Sequence, residues 1–244
     1  MSESAARLTG LYDRLSTYVP VAVLLAGVLL SFALAKDDYD QINSDAKALT
    51  NERLYRAKSQ LEQALNERLN VSYALEAFVK INSHASLNDA EQFVFVNEEA
   101  LFKSKFLQHA DALSERTRGL MSIQLAPQAV VTYLTNEERN KAAIGHDLLM
   151  DPNRREQTLR TIQEHKLIVA GPVTLKQGGD AFIARLAIFT EANAFDPAAY
   201  MRQRGLSEKP DWLDEIPSNF WGLATVLIDV NVLYEEAQID TLIE

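Results

Sequence analysis

One uninterrupted apolar segment near the start of the chain constrains its fold more than any other feature. It runs from Tyr18 to Ala35 (YVPVAVLLAGVLLSFALA), contains no charged residue, and is followed at once by a charged stretch (KDD). A helix needs about 20 apolar residues to cross the hydrocarbon core of a membrane, and extending the segment back to Leu15 reaches that length. We therefore predict a transmembrane helix at residues 18–36. A helix this apolar on all sides would otherwise need a much larger protein to bury it.

Charged residues on the two sides of the segment predict its orientation. Arg7 and Arg14 precede it, whereas the residues after Lys36 are mainly acidic. Because Lys and Arg favour the cytoplasmic side, we expect residues 1–17 in the cytoplasm and the bulk of the chain in the periplasm or outside the cell. The run Ala33-Leu34-Ala35 also fits a signal-peptide cleavage pattern, so a cleaved secretory signal is the alternative. Both interpretations export the rest of the chain across the cytoplasmic (inner) membrane.

Composition and missing motifs argue against several classes of function. The net charge is -10 and no run of Lys or Arg is present, so we expect no nucleic-acid partner. The chain lacks cysteine, and its four histidines lack the paired spacing of zinc sites, so we expect no metal. Residues 178–182 (GGDAF) differ by one letter from the GGDEF signature of diguanylate cyclases, but alanine replaces the acid that helps to bind metal. We therefore expect no cofactor and no enzyme active site.

The segment after the apolar run predicts a long helix. Proline and glycine are absent from Asp37 to Lys80, and apolar residues recur at helical spacing there. The stripe consists of Ile42, Ala46, Leu49, Ala57, Leu61, Leu65 and Leu69. We predict a stalk helix over residues 37–85 and a homodimer formed through it. Two shorter helices with a break near Asn51 or Asn70 are the alternative.

The rest of the chain combines two helical stretches with short apolar runs. We expect one helix between Asn88 and Gly119, and another from the cap Asp151-Pro152 to His165. A loop that carries a short helix is expected at residues 191–218. The apolar runs typical of strands are 120–125, 130–134, 168–176, 181–190 and 220–230, the third and fourth forming a hairpin around a Gly-Gly turn. Helices followed by antiparallel strands indicate an α+β domain.

Four sequence stretches carry a resemblance to a known family. They are SIQLAPQAVV (122–131), IGHDLLMDPNRREQTL (144–159), LIVAGPVTLKQGGDAFIARLAIF (167–189) and FWGLATVLIDVNVL (220–233). In order and spacing they resemble the CHASE domain, the extracellular sensory module of bacterial receptors and plant cytokinin receptors. The resemblance implies two PAS-like antiparallel-sheet subdomains within residues 86–234. It also implies that residues 235–244 begin a segment leading to a second transmembrane helix and a cytoplasmic kinase, cyclase or phosphodiesterase.

The resemblance further implies where a ligand binds. Matched to the family, Arg154 stands where plant receptors carry an adenine-binding aspartate, and Lys176 stands at a leucine whose backbone contacts the ligand. Arg185 stands at a threonine on the pocket floor. An arginine cannot accept a proton from an adenine nitrogen, but its planar donor fork suits carboxylate or phosphate. We expect these three residues to bind an anionic small molecule in an otherwise apolar pocket. The alternative is that each is a surface cation, with Arg185 on the solvent face of a strand.

These observations together predict a non-catalytic sensor that is anchored in a membrane. It would bind a small molecule and signal to a cytoplasmic output module that this chain does not contain. A domain that only dimerises or contacts a partner protein is the alternative from another class, and an enzyme comes third.

Overall fold

The structure is a computed structural model that describes residues 3–83, 98–175, 178–190 and 194–239. Within these ranges, the side chains of residues 3–17, 19, 21, 22 and 98 are outside the description. The chain divides into two compact units, residues 1–56 and residues 57–244.

In the first unit, all of the described residues belong to helix α1 (Glu3–Asn82). It is continuous through Asn51 and Asn70, so the alternative of two shorter helices is wrong. No helix among the described residues contains a stretch that is long and apolar enough to span a membrane. The predicted transmembrane helix at residues 18–36 includes positions 19, 21 and 22, whose side chains lie outside the described residues.

The described residues of the second unit contain the end of α1, five further helices and five strands. The helices are α2 (Glu98–Arg116), α3 (Glu137–Asn140), α4 (Pro152–Glu164), α5 (Pro197–Arg204) and α6 (Val230–Glu236), with 3₁₀ turns at Lys141–Ala143 and Asp211–Glu215. The strands are β1 (Leu120–Pro127), β2 (Tyr133–Leu134), β3 (Ile168–Thr174), β4 (Asp180–Phe189) and β5 (Phe220–Asp229). The predicted start of a helix near residue 88 lies outside the described residues.

The five strands form one antiparallel sheet in the order β2-β1-β5-β4-β3. The prediction of an α+β fold with a PAS-like antiparallel sheet is therefore confirmed, but the prediction of two such sheets is not met by the described residues. The reason is that β5 pairs with β1 on one side and with β4 on the other. The segments at 120–127, 180–189 and 220–229 consequently belong to one sheet.

The two faces of the sheet pack against different helices. Alternate residues of a strand point to opposite faces, so each strand contributes to both. On one face the sheet packs against α1 and α2 through a cluster that includes Leu75, Val79, Phe106, Ile123, Leu125, Ala184 and Val226. On the other face it packs against α4 and α5 through a cluster that includes Leu149, Ile162, Ala187, Tyr200 and Leu223. The second face is the one that holds the candidate site.

Helix α4 begins and ends at the residues that the sequence predicts. The Asp151 side chain accepts a hydrogen bond from the backbone N–H of Asn153 at 2.9 Å, and Pro152 occupies the first helical position. His165 follows the last helical residue in the left-handed conformation. A carboxylate at the N-cap and a proline directly after it are a standard helix start, and they fix the position of the first turn of α4.

Candidate functional site

The most unusual side chain of the sheet is Arg185, in the middle of β4. It is 6% exposed, so the alternative that places it on a solvent face is wrong. Its Nε atom is buried and has no hydrogen-bond partner. The pKa of Arg185 is lowered to about 10, first by burial and then by the positive charge of Arg154, while the negative charge of Asp151 acts in the opposite direction. A buried charge without a partner is costly, which makes this arginine a strong candidate for a binding function.

Arg185 is one end of a line of buried polar residues across three strands. Thr225 on β5 lies directly opposite Arg185, and Gln124 on β1 lies directly opposite Thr225. Residues directly opposite in an antiparallel pair share one face of the sheet. Ser122 is two positions before Gln124, and its Oγ accepts a hydrogen bond from Gln124 Nε2 at 3.2 Å. We call Ser122, Gln124, Thr225 and Arg185 the polar row.

Thr225 repeats the feature seen at Arg185. Its side chain is buried, and its Oγ1 atom has no hydrogen-bond partner. Buried hydroxyl groups in native proteins are normally paired, so an unpaired one needs an explanation. Two buried polar groups without a protein partner, on residues that are direct cross-strand neighbours, make this part of the sheet a candidate binding site.

The polar row lies between apolar residues on the same face of the sheet. Two positions along the strands in one direction are Ala187 and Leu223, which belong to the cluster under α4 and α5. In the other direction, Leu227 belongs to a smaller cluster that also contains Ala181 and Met121. A few polar groups set in apolar surroundings are typical of small-molecule sites.

The first turn of α4 contributes the charged neighbours of the row. Arg154 lies in that turn, is half-buried, and acts electrostatically on Arg185. The pKa of the Asp151 carboxyl is lowered, first by the backbone N–H of Asn153 and then by a hydrogen bond with His146, whose Nε2 lies 2.8 Å from Oδ2. Asp151 is therefore an ionised carboxylate that already has partners.

The structure thus brings together two of the three predicted site residues. The charge of Arg154 acts on that of Arg185. That the two residues bind a ligand stays a prediction. Lys176 lies outside the described residues. Sequence reasoning missed the other members of the polar row. The only indication of them in the sequence is that single polar residues interrupt the otherwise apolar stretches SIQLA and LATVL.

A second polar cluster near this face is fully bonded. Asp147 accepts hydrogen bonds from the hydroxyl of Tyr200, from Nε of Arg204 and from the backbone N–H groups of Leu149 and Met150. Asp147 and its neighbour in sequence, the histidine at position 146, therefore bond to different partners. The cluster joins the loop before α4 to α5, and Asp147, Tyr200 and Arg204 have no buried side-chain nitrogen or oxygen without a partner.

This α+β domain buries unpaired polar groups between apolar clusters on one face of its sheet. Such an arrangement is typical of small-molecule sensor modules. The model of the CHASE domain family matches residues 87–242, which is more than half of the chain. The chain belongs to this family, as the resemblance of the four stretches predicts. It therefore carries an extracellular or periplasmic domain of the ligand-sensing receptor type.

Two solved structures are also similar in part. One is an extracellular ligand-binding receptor from Desulfohalobium retbaense, with 9% identity and a TM-score of 0.45 over 74% of this chain and 26% of that protein. The other is the ligand-binding domain of the amino acid chemoreceptor PctC of Pseudomonas aeruginosa in complex with GABA. It has 15% identity and a TM-score of 0.44 over 78% of this chain and 66% of that one. The chain thus spans about a quarter of the first and about two thirds of the second. No curated protein matches the chain in sequence.

Proposed function

We propose that this chain is the sensory part of a membrane receptor and that it binds a small anionic molecule at the polar row without transforming it. The observation that carries the proposal is the buried Nε of Arg185, which has no hydrogen-bond partner. Thr225, the residue directly opposite Arg185 on β5, has a buried hydroxyl that also lacks a partner. An anion at this position supplies the missing acceptor. Hydrogen bonds between an arginine and an anion are about twice as strong as neutral ones.

The predicted neighbours of Arg185 have defined roles in this proposal. Arg154 carries a second donor fork at the first turn of α4 and adds positive charge beside Arg185. Lys176, which follows β3, is proposed as a third cation at the edge of the site. Arginine binds carboxylate and phosphate through a planar pair of donors, so either group fits this proposal.

Anchoring and output complete the receptor. We propose that residues 18–36 form a transmembrane helix, because this segment has the length and composition of one. The output module would lie in the cytoplasm after a second span, and two copies would associate through α1. Binding can change the output only if the ligand has different affinities for two arrangements of the domain.

A thermal-shift screen of the purified 244-residue chain in detergent tests the proposal. The probes are carboxylates and phosphates, with an adenine-type cytokinin as a compound that should not bind. Every shift is measured against the melting temperature of the same variant without ligand. We expect at least one anion to stabilise the chain, and Arg185→Ala to abolish that shift.

Arg160→Ala is the matched control for the screen. Arg160 is on the same helix as Arg154, is exposed, and pairs with Glu164 one turn away. Its replacement should leave the ligand-induced shift intact. If no anion stabilises the chain, or if the shift is the same in Arg185→Ala, binding at the polar row is wrong.

An interaction domain is the second candidate function. It is favoured by exposed large apolar side chains on the part of α1 in the first unit, including Ile42, Leu49 and Tyr55. Multi-angle light scattering in detergent tests it, with Ile42→Asp and Leu49→Asp as variants. If the chain is dimeric, the variants dissociate, and no anion binds, the interaction function replaces the sensory one.

A further inference from the structure

We propose that Asp147 is a positioning residue, which holds the first turn of α4 and thereby Arg154 in place through its bonds to α5. This inference rests on the proposed function and adds residues that act on the anion through Arg154 without touching it. Three features carry it: the partners of the Asp147 side chain, the bonds between the loop before α4 and that helix, and the position of Arg154 in the first turn.

The Asp147 side chain is a partly buried carboxylate that binds two residues of α5. It is 16% exposed and lies 2.5 Å from Nε of Arg204, whose side chain is 14% exposed. The Tyr200 hydroxyl donates to Asp147 at 3.0 Å, and the Arg204 guanidinium lies over the Tyr200 ring, 3.6 Å from its centre. Burial and the charge of Asp147 both raise the pKa of the Tyr200 hydroxyl, which therefore remains a donor.

The same carboxylate belongs to the loop that leads into α4. It accepts hydrogen bonds from the backbone N–H groups of Leu149 and Met150, both at 3.0 Å. The backbone C=O of Asp147 accepts from the N–H of Asp151, the N-cap of α4, at 3.1 Å. Near the start of α4, Arg155 donates from Nε to the C=O of Leu149 at 2.6 Å. Because of these cross-links, a displacement of Asp147 also displaces the first turn of α4.

The loop before α4 is held from two sides. On the side of the sheet, the N–H of Val131 donates to the C=O of His146 at 3.0 Å, and the N–H of Leu148 donates to the C=O of Ala129 at 2.9 Å. On the side of α5, the side chain of Asp147 accepts the hydrogen bonds. A substitution on α5 can therefore release the loop from that helix while its backbone attachment to residues 129–131 is kept.

Arg154 is the proposed anion-binding residue that this network affects. It is the third residue of α4, is half-buried, and acts through its charge on Arg185. An arginine side chain has many rotamers, so ordering it at a ligand has an entropic cost. A helix start that is already fixed before the anion binds reduces the cost of ordering. We therefore expect that release of the loop from α5 weakens anion binding.

Replacing Tyr200 by phenylalanine in the full chain in detergent tests the positioning role. Tyr200→Phe removes the hydroxyl that bonds to Asp147 and keeps the buried ring. Acetate, inorganic phosphate and the most stabilising anion of the thermal-shift screen are titrated by isothermal calorimetry. We expect the affinity to fall about tenfold, the lower end of what a hydrogen bond to a charged group contributes. Tyr234→Phe removes a tyrosine hydroxyl from α6 as the matched control and should leave the affinity unchanged.

A double-mutant cycle with Arg154→Ala separates positioning from a purely structural role. If Asp147 acts through Arg154, the chain without that arginine has no side chain left to position. Tyr200→Phe should then cause no further loss of affinity in the Arg154→Ala chain, so the two effects are not additive. Circular dichroism melts check that each variant folds. If Tyr200→Phe does not fold, Arg204→Lys, which keeps a positive charge beside Asp147, is titrated in its place with the same expectation.

Each outcome separates the inference from the proposed function. If an anion binds, Arg185→Ala abolishes its binding, and Tyr200→Phe lowers only the melting temperature, the positioning role is wrong and the anionic site stands. An equal loss of affinity with and without Arg154 also overturns the inference, because the network then acts by another route. If no anion binds to the unchanged chain, the proposed function and the inference fail together.

Discussion

Replacing Arg185 by methionine should make the ligand-free domain more stable. The guanidinium is buried, its Nε has no partner, and the charge of Arg154 repels it. The pKa of Arg185 is lowered to about 10 from the ordinary value of an arginine, chiefly because of burial. One pKa unit corresponds to about 1.4 kcal/mol, so this charge destabilises the fold by about 3 kcal/mol. Methionine fills a similar elongated space without a charge and adapts to irregular surroundings.

The sign of the effect follows from the direction of the pKa change. A cation whose pKa is lower in the folded state binds its proton more weakly there than in the unfolded chain. The destabilisation is therefore fully present below pH 10, and it would be relieved only as the pH rises above about 10 towards the ordinary pKa of an arginine. An experiment at pH 7 measures all of it.

Thermal unfolding followed by circular dichroism at pH 7 measures the change. Because replacement of buried charges by apolar groups stabilises by about 1–4 kcal/mol, we expect a gain in that range for Arg185→Met. At about 2–4 °C per kcal/mol for a chain of this size, the melting temperature should rise by roughly 5–10 °C. The same variant should no longer respond to any anion.

The control for this experiment is Arg160→Met on α4. That arginine is exposed and pairs with Glu164, so its replacement should leave the melting temperature almost unchanged. If the free energy of unfolding of Arg185→Met is instead more than about 1 kcal/mol lower than that of the unchanged chain, Arg185 stabilises the ligand-free domain. The argument that it is kept for a ligand then fails.

Two further substitutions test the packing of the second unit. Glu236→Gln removes the carboxylate that lies 2.7 Å from Arg68, which is 1% exposed. Since Glu236 is partly exposed, we expect the free energy of unfolding in urea to fall by about 1–3 kcal/mol. Glu235→Gln is the control: its carboxylate belongs to an exposed ion pair at 3.9 Å, so the free energy of unfolding should hardly change. Gly222→Ala places a Cβ 2.3 Å from the carbonyl oxygen of Ala126, so the backbones of β1 and β5 must separate. We expect a loss of about 3 kcal/mol or more, or failure to fold, and unchanged stability would show that the strands part without cost.

Local signals in the sequence were sufficient to predict most elements of the fold. The start of α4 is encoded by Asp151-Pro152, and the β3–β4 hairpin by two apolar runs around Gly178-Gly179. The pairing of β5 with both β1 and β4 was not predictable in this way. It joins segments that lie far apart in the chain, and no local pattern records which strands become neighbours.

The candidate site was predictable only in its charged part. The family resemblance identified Arg154 and Arg185, because an arginine that replaces a ligand-binding residue is visible in the sequence. Thr225 and Gln124 are ordinary polar residues at alternate positions of a strand, which is also the pattern of a solvent-exposed face. Whether such a face is open or covered depends on helices that pack on it from elsewhere in the chain, and here α4 and α5 do so.

The position of Arg185 in β4 connects the candidate site to α1. Its neighbour Ala184 points to the opposite face and packs in the cluster that contains Leu75 and Val79 of α1. A ligand that repositions the backbone at Arg185 therefore changes the packing between the sheet and α1. Relief of about 3 kcal/mol at the arginine corresponds to roughly a hundredfold change in an equilibrium constant. Couplings between sites are typically about 1–3 kcal/mol, so a ligand that relieved this destabilisation in only one of two arrangements of the domain would supply a coupling of that size.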